Sequence, residues 1–372
     1  MSKEALITGG AGFIGSHLAD ELFAQGYRVR VLDALVEQVH GADARRPPYL
    51  HPDVMLLRGN VCDPQVVAAA CRGVDVVVHL AASVGVGQSM YEISHYTATN
   101  DHGTAVLLEE LVRNPVERLV VASSMSIYGE GMYRRADGSL VPGHERSLEQ
   151  LKQGRWELYD EADRPLTPAP TPEHKLPALA SVYALNKYTQ ERLCLIVGRA
   201  YGIPTVALRF FNVYGSRQAL SNPYTGVLAI FATRLLNNHA PLIYEDGNQQ
   251  RDFVHVRDVV WACRLALETP DIAGKIFNIG SGQPYTIREI AERFAAILDK
   301  SHIEPQITGK YRVGDIRHCF ADITHARRLL GYQPRVDLAA GMVELAQWLE
   351  GEIAVDEVDE AYAELTTRGL AV

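Results

Sequence analysis

Cysteine is scarce in this chain and follows no recognisable pattern. The 372 residues contain five cysteines, and none has CxxC or other metal-ligand spacing: Cys62, Cys71, Cys194, Cys263 and Cys319. An odd and dispersed set argues against a disulfide framework and against a zinc site. We therefore expect a cytoplasmic protein, kept in a reducing compartment, that binds no metal.

Excess positive charge and long hydrophobic runs are also missing. Asp and Glu outnumber Lys and Arg by 45 to 36, and the formal net charge is −9. This balance argues against general binding to nucleic acid or to an anionic membrane, but leaves room for a few arginines around one phosphate. No apolar run approaches membrane-spanning length, and the N-terminal MSKEALITGG enters a strand without a signal-peptide layout. We expect no nucleic-acid or membrane partner.

What the chain does contain is an alternation of short apolar runs with amphipathic segments. Strands that are apolar throughout and alternate with helices predict a parallel sheet covered on both faces. The segments that predict strands are EALIT, RVRVLD, VMLLRG, VDVVVHLAA, ERLVVASS and PTVALRF. We therefore predict an α/β fold, a doubly wound parallel Rossmann sheet with a smaller C-terminal substrate-binding lobe.

A glycine-rich turn joins the first predicted strand to the first predicted helix. In LITGGAGFIGSHL, Gly9, Gly12 and Gly15 permit a tight turn, close approach to a pyrophosphate, and close helix packing. Asp33 ends the second predicted strand, where a carboxylate binds the ribose hydroxyls of NAD and repels the 2′-phosphate of NADP. The following ALVE offers no cation for that phosphate. The pattern predicts NAD as the cofactor, and a plain glycine-rich turn is the alternative.

The alternation of predicted strands and helices is interrupted between residues 130 and 180. This segment is charged, proline-rich near its end and longer than the fold requires, so it is either a functional cover or an inert excursion. We predict an NAD-binding Rossmann domain over residues 1–212 that includes this insertion. Residues 213–350 are predicted to form mainly the substrate-binding lobe, with some segments returning to the Rossmann domain, and residues 351–372 an acidic peripheral tail.

The stretch SVYALNKYTQE places Tyr183 and Lys187 four residues apart without a helix breaker. Positions i and i+4 lie on one face of a helix. A surface lysine packed against a tyrosine is one interpretation. The other is a catalytic pair, in which a fixed ammonium lowers the pKa of a phenol from its usual value of about 10 and makes it a base. The glycine-rich turn favours the catalytic interpretation.

Taken together, the motifs resemble those of the extended short-chain dehydrogenases/reductases, and within them the nucleotide-sugar epimerases and dehydratases. The resemblance extends over residues 3–350. It rests on TGGAGFIG, HLAA (79–82), TNDHGT (99–104), ASSMSIYG (122–129), the Tyr183-xxx-Lys187 pair, LRFFNVYG (208–215), RDFVHVRDV (251–259), FNIGSG (277–282) and GDIRHCFADITHARRLLGY (314–332).

The resemblance implies a catalytic set of three residues and a lining for the dinucleotide. Tyr183 is expected to be the base, Lys187 its electrostatic partner, and Ser124, four residues before Tyr128, the third member. The family usually has Asp at the position that contacts adenine. This chain has Asn60 there, so an amide would make the contact in place of a carboxylate. The residues implied to line the cofactor are Gly9, Gly12, Phe13, Ile14, Gly15, Asp33, Asn60, Val61, Leu80, Ala81, Ala82, Thr99, Ser123, Tyr183 and Lys187.

The resemblance also implies a site for a nucleotide-sugar substrate. Besides the serine and tyrosine of the catalytic set, Asn212, Arg251 and Arg317 are expected to hold it, the two arginines facing the pyrophosphate with bidentate geometry. The alternative for each arginine is a solvated position or a pair with an acid, and for Asn212 a tie between loops. Arg257 stands where the family usually has Asp, and no role follows for it.

The residues after Ser124 indicate the reaction. Dehydratases of the family carry an Asp-Glu pair there and decarboxylases a Glu, whereas this chain has Met125 and Ser126. Without a second acid or base, the simplest outcome of oxidation at C4 is rotation of the keto-sugar and return of hydride to its opposite face. We therefore expect an NAD-dependent nucleotide-sugar 4-epimerase. A reductase that consumes NADH and a non-catalytic dinucleotide sensor are the alternatives.

The segment AASVGVGQSMYEISH, residues 81–95, contains no Lys or Arg. A uronate carboxylate buried there would lack a partner, which is costly, so a neutral or 6-deoxy sugar is favoured. This loop and the insertion also resemble those of dTDP-L-rhamnose 4-epimerases, which implies interconversion of dTDP-L-rhamnose and dTDP-6-deoxy-L-talose. UDP-glucose (galactose) and UDP-glucuronate are the alternative substrates. The family further implies a homodimer through the helices of TAVLLEELV and YALNKYTQERLCLIV, for which plain core packing is the alternative.

Overall fold

The computed structural model describes residues 2–218, 226–312, 314–350 and 366–370. Most of the tail predicted as peripheral, residues 351–365 and 371–372, lies outside the described residues. Residues 366–370 form a mostly exposed turn, in which the Arg368 guanidinium stacks over the Tyr91 ring at 4.0 Å.

The strands are short, and two inner strands of the main sheet are buried at every position. VVVH and TVALRF show this burial, which is expected for parallel strands covered on both faces. The strands in the described ranges are β1 (Glu4–Thr8), β2 (Arg28–Asp33), β3 (Met55–Arg58), β4 (Val76–His79), β5 (Arg118–Ser124), β6 (Met132–Arg134), β7 (Leu140–Pro142), β8 (Thr167–Ala169), β9 (Thr205–Phe210), β10 (Asn212–Tyr214), β11 (Leu242–Ile243), β12 (Gln250–His255), β13 (Ile276–Ile279), β14 (Pro284–Thr286), β15 (Gln306–Ile307) and β16 (His318–Cys319).

Several helices begin at side-chain caps that the local sequence supplies. The helices in the described ranges are α1 (Phe13–Ala24), α2 (Glu37–His40), α3 (Pro64–Cys71), α4 (Val86–Ser89), α5 (Ile93–Thr97), α6 (Gly103–Arg113), α7 (Leu148–Lys152), α8 (Val182–Tyr201), α9 (Val227–Leu236), α10 (Val256–Glu268), α11 (Ile287–Ile297), α12 (Thr324–Leu330) and α13 (Leu338–Glu350), with a π-helical turn at Ala98–His102 and a 3₁₀ turn at Met125–Tyr128. Asp63 caps α3 and Ser181 caps α8, each accepting hydrogen bonds from first-turn amides. Gly202 ends α8 in the left-handed conformation that glycine favours.

The main sheet confirms the predicted doubly wound topology. Within the described ranges, seven strands pair in the order β13-β9-β5-β4-β1-β2-β3, and every pair is parallel. The chain reverses its direction of travel across the sheet between β1 and β4. At such a switch point the carboxyl ends of the strands open a crevice for ligands.

Helices cover both faces of this sheet. On one face α1 and α10 pack around a core that contains Leu18 and Val259. On the other face α3, α6 and α8 pack around a core that contains Leu107 and Cys194. Because connections in a parallel sheet start at the carboxyl ends of strands, α1 and α8 both begin at the edge where the crevice opens.

A second core lies in the C-terminal part of the chain. It is formed by α9, α11 and α13, whose buried side chains include Phe231, Phe294 and Leu345. Beside it, β10, β12, β14 and β16 form a small mixed sheet. From the same part of the chain, β13 joins the main sheet and α10 packs with α1. The domain boundary at residue 212 and the substrate role of this lobe remain predictions.

Residues 130–180 form a compact unit on the Rossmann domain. Its antiparallel sheet has the order β7-β6-β8, and its own small core contains Tyr133, Leu158 and Leu166. Near its end, the amide of Ala178 donates a hydrogen bond to the carbonyl of Ile127 at 2.9 Å. Both ends of the insertion therefore lie at the carboxyl end of β5.

The described ranges contain no membrane-spanning helix, no metal cluster and no disulfide. In this part of the chain no helix is long and apolar enough to cross a membrane. The same residues contain no group of three or more His, Cys, Asp or Glu side chains placed to hold a metal ion. All five cysteine thiols are free.

Candidate active site

The glycine-rich turn between β1 and α1 is crowded at two glycines and open at the third. Gly9 has a φ of 69°, and a Cβ on Gly15 would lie 2.2 Å from the Gly9 carbonyl oxygen. A Cβ on Gly12 would lie 3.5 Å from that oxygen. Gly12 is the N-cap of α1, and no side chain caps the helix there. The first-turn amides and the helix dipole therefore suit an anion such as the pyrophosphate of NAD.

Asp33, the last residue of β2, lies beside this turn. Its carboxylate accepts hydrogen bonds from the amides of Ala11 at 3.0 Å and Leu35 at 2.9 Å, and His40 Nε2 is 3.5 Å away. Burial opposes ionisation, but the hydrogen bonds from His40 and from these amides outweigh it and hold the Asp33 pKa below its usual value. An ionised carboxylate here fits the ribose hydroxyls of NAD. Sequence reasoning missed His40, because α2 is short and carries no periodic signal.

Asn60 and Val61 follow β3, at the predicted adenine end of the cofactor site. The exposed Asn60 accepts a hydrogen bond from the Cys62 amide through its side-chain oxygen, at 2.9 Å. Val61 is buried, and Phe13 and Ile14 are half-buried at the start of α1. An amide oxygen forms this turn bond as a carboxylate does, so the departure from Asp preserves the local turn.

The residues after β4 belong to the predicted cofactor site and lie beside the glycine-rich turn. The amides of Leu80 and Ala81 donate to the carbonyl and the hydroxyl of Thr8, at 3.1 and 3.2 Å. Ala82 is the next residue in the chain, and Thr99 lies further along it. Both are half-buried. The hydrogen bonds to Thr8 hold this segment against the end of β1, where the glycine-rich turn begins.

Tyr183 stands in the first turn of α8, at the carboxyl edge of the main sheet. Its amide donates to Ser89 Oγ at 3.0 Å, and its phenol lies near the Ser124 hydroxyl at the end of β5. Burial raises the pKa of Tyr183 to about 12, and the hydrogen bond with Ser124 opposes part of this increase. The structure thus brings together the tyrosine and the serine that the motifs single out.

Lys187 lies one turn further along α8 and is 4% exposed. Its ammonium donates to Gln190 Oε1 at 2.8 Å. Burial lowers the pKa of Lys187 to about 8, against the opposing effects of Cys194 and Glu191. A solvated surface lysine, the alternative interpretation of the Tyr183–Lys187 pair, is inconsistent with this burial.

Three serines lie where β5 meets the 3₁₀ turn, and all three form hydrogen bonds. Ser123 is buried and donates to Glu191 Oε2 at 2.7 Å, so its hydroxyl is bound to α8. Ser124 Oγ accepts from the amide and the hydroxyl of Ser126, at 3.2 and 2.9 Å. Because Ser126 supplies the proton in that bond, the Ser124 proton is left to point at another acceptor, such as the oxygen of Tyr183 or of a substrate.

Asn212 and Arg251 lie on the neighbouring strands β10 and β12. Asn212 Nδ2 donates to the carbonyl of Asp252 at 2.9 Å, which is the structural tie considered as its alternative role. Arg251 donates to the carbonyls of Arg317 at 3.0 Å and Ile316 at 2.5 Å, and its side chain is 13% exposed. The substrate roles of Asn212 and Arg251 remain predictions.

Arg317 does not present its guanidinium to a ligand in this structure. The side chain is 0% exposed, and its five N–H groups donate to the carboxylates of Glu157, Glu245 and Asp246 at 2.5 to 3.1 Å. A guanidinium has five N–H groups, so none is left for a phosphate. This corrects the expectation that Arg317 holds the pyrophosphate. The structure instead pairs Arg317 with acidic side chains, which is the alternative stated from the sequence.

These groups belong to a buried ion cluster, which we define as Arg146, Glu157, Glu245, Asp246 and Arg317. Arg146 lies 2.8 Å from Glu245, and both side chains are almost fully buried. Arg146 and Glu157 come from the insertion, and the other three come from the second lobe. The cluster therefore joins the two parts of the chain, and sequence reasoning missed it because its members are far apart in sequence.

Arg257, the other departure from the family pattern, lies at the start of α10. Its side chain is 65% exposed and lies 3.1 Å from the Glu344 carboxylate on α13. The departure from Asp thus adds an exposed ion pair between two helices.

Comparison with known proteins assigns the chain to a family. The family model described as the NAD dependent epimerase/dehydratase family matches residues 5–152 and 156–280. A dTDP-L-rhamnose 4-epimerase from Burkholderia thailandensis is 36% identical over 361 residues, which cover 94% of this chain and 96% of that relative.

Two solved structures show the same architecture. A UDP-glucose 4-epimerase from Thermotoga maritima, determined with UDP-glucose, is 30% identical with a TM-score of 0.75, covering 94% of this chain and 99% of that one. A UDP-glucuronic acid 4-epimerase from Bacillus cereus, in complex with UDP-glucuronic acid and NAD, is 27% identical with a TM-score of 0.76, at 94% and 99% coverage.

The matches extend over the segments that build the site described above. The family model includes the glycine-rich turn, Asp33, Ser124, Tyr183 and Lys187. The resemblance drawn from the motifs and the predicted dependence on NAD are both confirmed by this match. The chain belongs to the NAD dependent epimerase/dehydratase family.

Proposed function

We propose that this NAD-dependent nucleotide-sugar 4-epimerase interconverts dTDP-linked 6-deoxyhexoses, namely dTDP-L-rhamnose and dTDP-6-deoxy-L-talose, with Tyr183, Lys187 and Ser124 as its catalytic residues. The observation that carries the reaction is the arrangement at the start of α8. The Ser124 hydroxyl lies close enough to the phenol of Tyr183 to lower its pKa, and Lys187 is buried one turn away.

In this mechanism Tyr183 accepts the proton of the sugar C4 hydroxyl, while Ser124 donates a hydrogen bond to the oxygen as it becomes a carbonyl oxygen. The glycine-rich turn and Asp33 would hold NAD, which would supply an acceptor for the hydride of C4 and a donor for its return. Since the pKa of Tyr183 is about 12 even with Ser124 opposing the effect of burial, ionisation of its phenol requires nearby positive charge. The ammonium of Lys187 supplies such charge from the same helix. After the keto-sugar has rotated in the site, Tyr183 returns the proton to the oxygen on C4.

The absence of a second acid or base favours epimerisation over elimination. Met125 and Ser126, which follow Ser124, are both buried, and neither carries a carboxyl group. The Ser126 hydroxyl is engaged with Ser124 Oγ at 2.9 Å, where it orients the catalytic hydroxyl. The reaction therefore ends with the hydride back on C4, and NAD is regenerated within one turnover.

The substrate assignment depends on the segment of residues 84–90, a loop region that includes the short helix α4. Ser89 in this loop binds the amide of Tyr183, so the loop lies beside the proposed base. Val84, Val86 and Met90 are exposed at 55%, 50% and 38%. An apolar loop without Lys or Arg suits the C6 methyl group of a 6-deoxyhexose and disfavours a carboxylate. The relative at 36% identity supports the same assignment.

UDP-glucose (galactose) 4-epimerase is the second candidate, because the Thermotoga maritima enzyme is 30% identical and matches almost its full length. UDP-glucuronate 4-epimerase is a third, supported by the Bacillus cereus structure. The test is an assay of one enzyme preparation with dTDP-L-rhamnose, UDP-glucose and UDP-glucuronate, each followed by NMR. We expect the largest kcat/KM with dTDP-L-rhamnose and no need for added NADH. Faster turnover of UDP-glucuronate would contradict the charge argument, and stoichiometric consumption of NADH would indicate a reductase instead.

The proposal includes a cytoplasmic homodimer that associates through α8. The cytoplasmic assignment rests on the five free thiols. On α8, Leu185 and Ile196 are apolar and exposed at 49% and 47%, which suits burial against a second copy. Sedimentation equilibrium tests this part, since each chain has a mass of 41.1 kDa. A species of one chain mass at micromolar concentration would contradict the dimer without affecting the proposed reaction.

A further inference from the structure

We propose that Gln190 is a positioning residue for Lys187: its side-chain amide holds the Lys187 ammonium in place without neutralising its charge. The proposal rests on the catalytic roles proposed for Tyr183 and Lys187. It adds a residue to which neither the motifs nor the family comparison assigned a role.

The contact itself is short and buried. Lys187 Nζ donates to Gln190 Oε1 at 2.8 Å, and the two residues are 4% and 1% exposed. They are three positions apart on α8, so their side chains emerge on one face of the helix. In a buried site of low dielectric constant, a hydrogen bond restricts the ammonium more strongly than it would in water.

The orientation of the Gln190 amide is determined by its other partners. Its Nε2 group donates to Thr104 Oγ1 at 2.9 Å and lies 3.4 Å from the carbonyl oxygen of Ala81. The Lys187 ammonium can only donate hydrogen bonds. If the Gln190 amide were flipped, its NH2 group would face this ammonium, and two donors would meet. Gln190 therefore connects Lys187 both to α6 and to the segment after β4 that is expected to line the cofactor.

The network continues through His79 to Thr8 on β1. Thr104 donates to the carbonyl of Asn100 at 2.5 Å, so its oxygen is free to accept from His79 Nε2, 2.9 Å away. Thr8 Oγ1 lies 2.7 Å from His79 Nδ1 and accepts from the Ala81 amide, so its hydroxyl proton is available to His79. His79 is neutral in this arrangement, because burial lowers its pKa to about 3. His79 Nε2 also lies 3.3 Å from Gln190 Nε2, so the buried imidazole joins Thr8, Thr104 and Gln190 in one network.

The charged and titratable groups around Lys187 leave its charge uncompensated. The Glu191 carboxylate is bound by Arg209 at 2.7 and 2.9 Å and by the hydroxyl of Ser123. The Cys194 thiol is protonated, because burial raises its pKa to about 12. Among the residues that the structure describes, no carboxylate lies within salt-bridge distance of Lys187 Nζ, and His79 on β4 is neutral as shown above. A neutral amide is thus the direct partner, and the ammonium charge remains available to stabilise a phenolate.

The experiment changes the charge of the partner while retaining its shape. Gln190→Glu supplies a carboxylate that pairs with Lys187, so less positive charge acts on Tyr183. We expect the ionisation of Tyr183, measured as the ultraviolet difference spectrum against a Tyr183→Phe background, to move up by about one pH unit. The ascending limb of the kcat–pH profile is expected to move with it. Gln65→Glu, which adds the same charge at an exposed position of α3, is the control and leaves both measurements unchanged.

A second variant removes the acceptor instead. Gln190→Leu leaves Lys187 without its buried partner, so we expect the descending alkaline limb of kcat to move to lower pH. We also expect kcat to fall about tenfold or more, the effect of losing a hydrogen bond to a charged group, with KM changed much less. This variant decides the question if Gln190→Glu does not fold. Gln190→Asn is expected to recover part of the lost rate, because it retains an amide.

The outcomes separate this proposal from the proposed function. Unshifted Tyr183 ionisation in Gln190→Glu, or an unshifted pH profile in Gln190→Leu, would overturn the positioning role even if both variants were less stable. If Tyr183→Phe kept its full rate, the proposed mechanism would be wrong. The spectroscopic titration needs no substrate, so it reports on Gln190 in either case.

Discussion

Arg317 and Glu157 lie 160 residues apart in the chain, yet Nε and Nη2 of Arg317 both donate to Glu157 Oε1, at 3.1 and 2.5 Å. Glu157 belongs to the insertion, and Arg317 directly precedes β16. The main-chain carbonyls of Ile316 and Arg317 accept hydrogen bonds from Arg251. The pair therefore connects the insertion to the arginine that is expected at the substrate pyrophosphate.

The first prediction concerns the stability that this cluster contributes. Arg317→Met leaves several buried or half-buried carboxylates with one cation fewer, so we expect the free energy of unfolding to fall by about 3–5 kcal/mol. Urea unfolding measures this difference. The control is Arg135→Met, also in the insertion, where the partner Glu161 is 82% exposed and the expected loss is below about 1 kcal/mol. Equal small losses would contradict a stabilising role for the cluster.

The second prediction is the response of the same cluster to acid. Burial alone would raise the pKa values of Glu157 and Asp246, but hydrogen bonds, chiefly from His318 and Arg317 to Glu157 and from Arg317 to Asp246, hold both at about 2. A carboxyl group with a depressed pKa stabilises the fold fully above its unfolded value and loses this effect as the pH falls through its folded value. We expect unfolding free energy to decline between pH 4.5 and pH 2. In Arg317→Met this decline is smaller, and chemical denaturation at a series of pH values measures the difference.

The third prediction tests the proposed base. Tyr183→Phe removes the phenol oxygen and little volume, so we expect normal thermal stability and a loss of kcat of about 100-fold or more. Turnover of dTDP-L-rhamnose followed by NMR is the measurement. Tyr201→Phe, at the exposed end of the same helix, is the control and retains wild-type rate. A Tyr183→Phe enzyme with near wild-type kcat would exclude Tyr183 as the base.

The fourth prediction concerns the cofactor. Asp33→Asn retains the shape of the side chain but removes the charge that suits the ribose hydroxyls, so we expect less NAD(H) bound per purified chain. Chromatography of nucleotide released from the denatured protein measures this quantity. We expect no gain in NADP binding, because the following ALVE contains no Lys or Arg. Asp53→Asn, at a side chain 73% exposed, is the matched control and keeps the wild-type content.

The fifth prediction concerns the insertion. Glu157→Gln weakens the bridge to Arg317 without shortening the chain, and the carbonyls that hold Arg251 become less constrained. If Arg251 binds the pyrophosphate, KM for the nucleotide-sugar rises while bound NAD stays at the wild-type level. Glu161→Gln, which alters an exposed pair of the same insertion, is the control. Unchanged kinetics in Glu157→Gln would favour an insertion without influence on substrate binding.

Features whose determinants are close together in sequence could be predicted from the sequence alone. The turn of Gly9, Gly12 and Gly15 depends on the freedom of glycine φ angles and on the crowding of adjacent atoms. Tyr183 and Lys187 share a helix face because of the 3.6-residue period. The fully apolar strands implied a sheet buried on both faces. These are properties of short segments, so they are visible before the chain is folded.

The partners of polar side chains were decided only by the tertiary structure. From its motif Arg317 resembled a phosphate ligand, but packing of the insertion and the second lobe around it supplied carboxylates instead. A guanidinium binds carboxylate and phosphate with the same bidentate geometry, so the arginine alone does not reveal its anion. Likewise, Gln190 acquires its role from Thr104, which is 86 residues away in sequence. Hydrogen-bond partners depend on which segments meet in space, and long-range packing determines that.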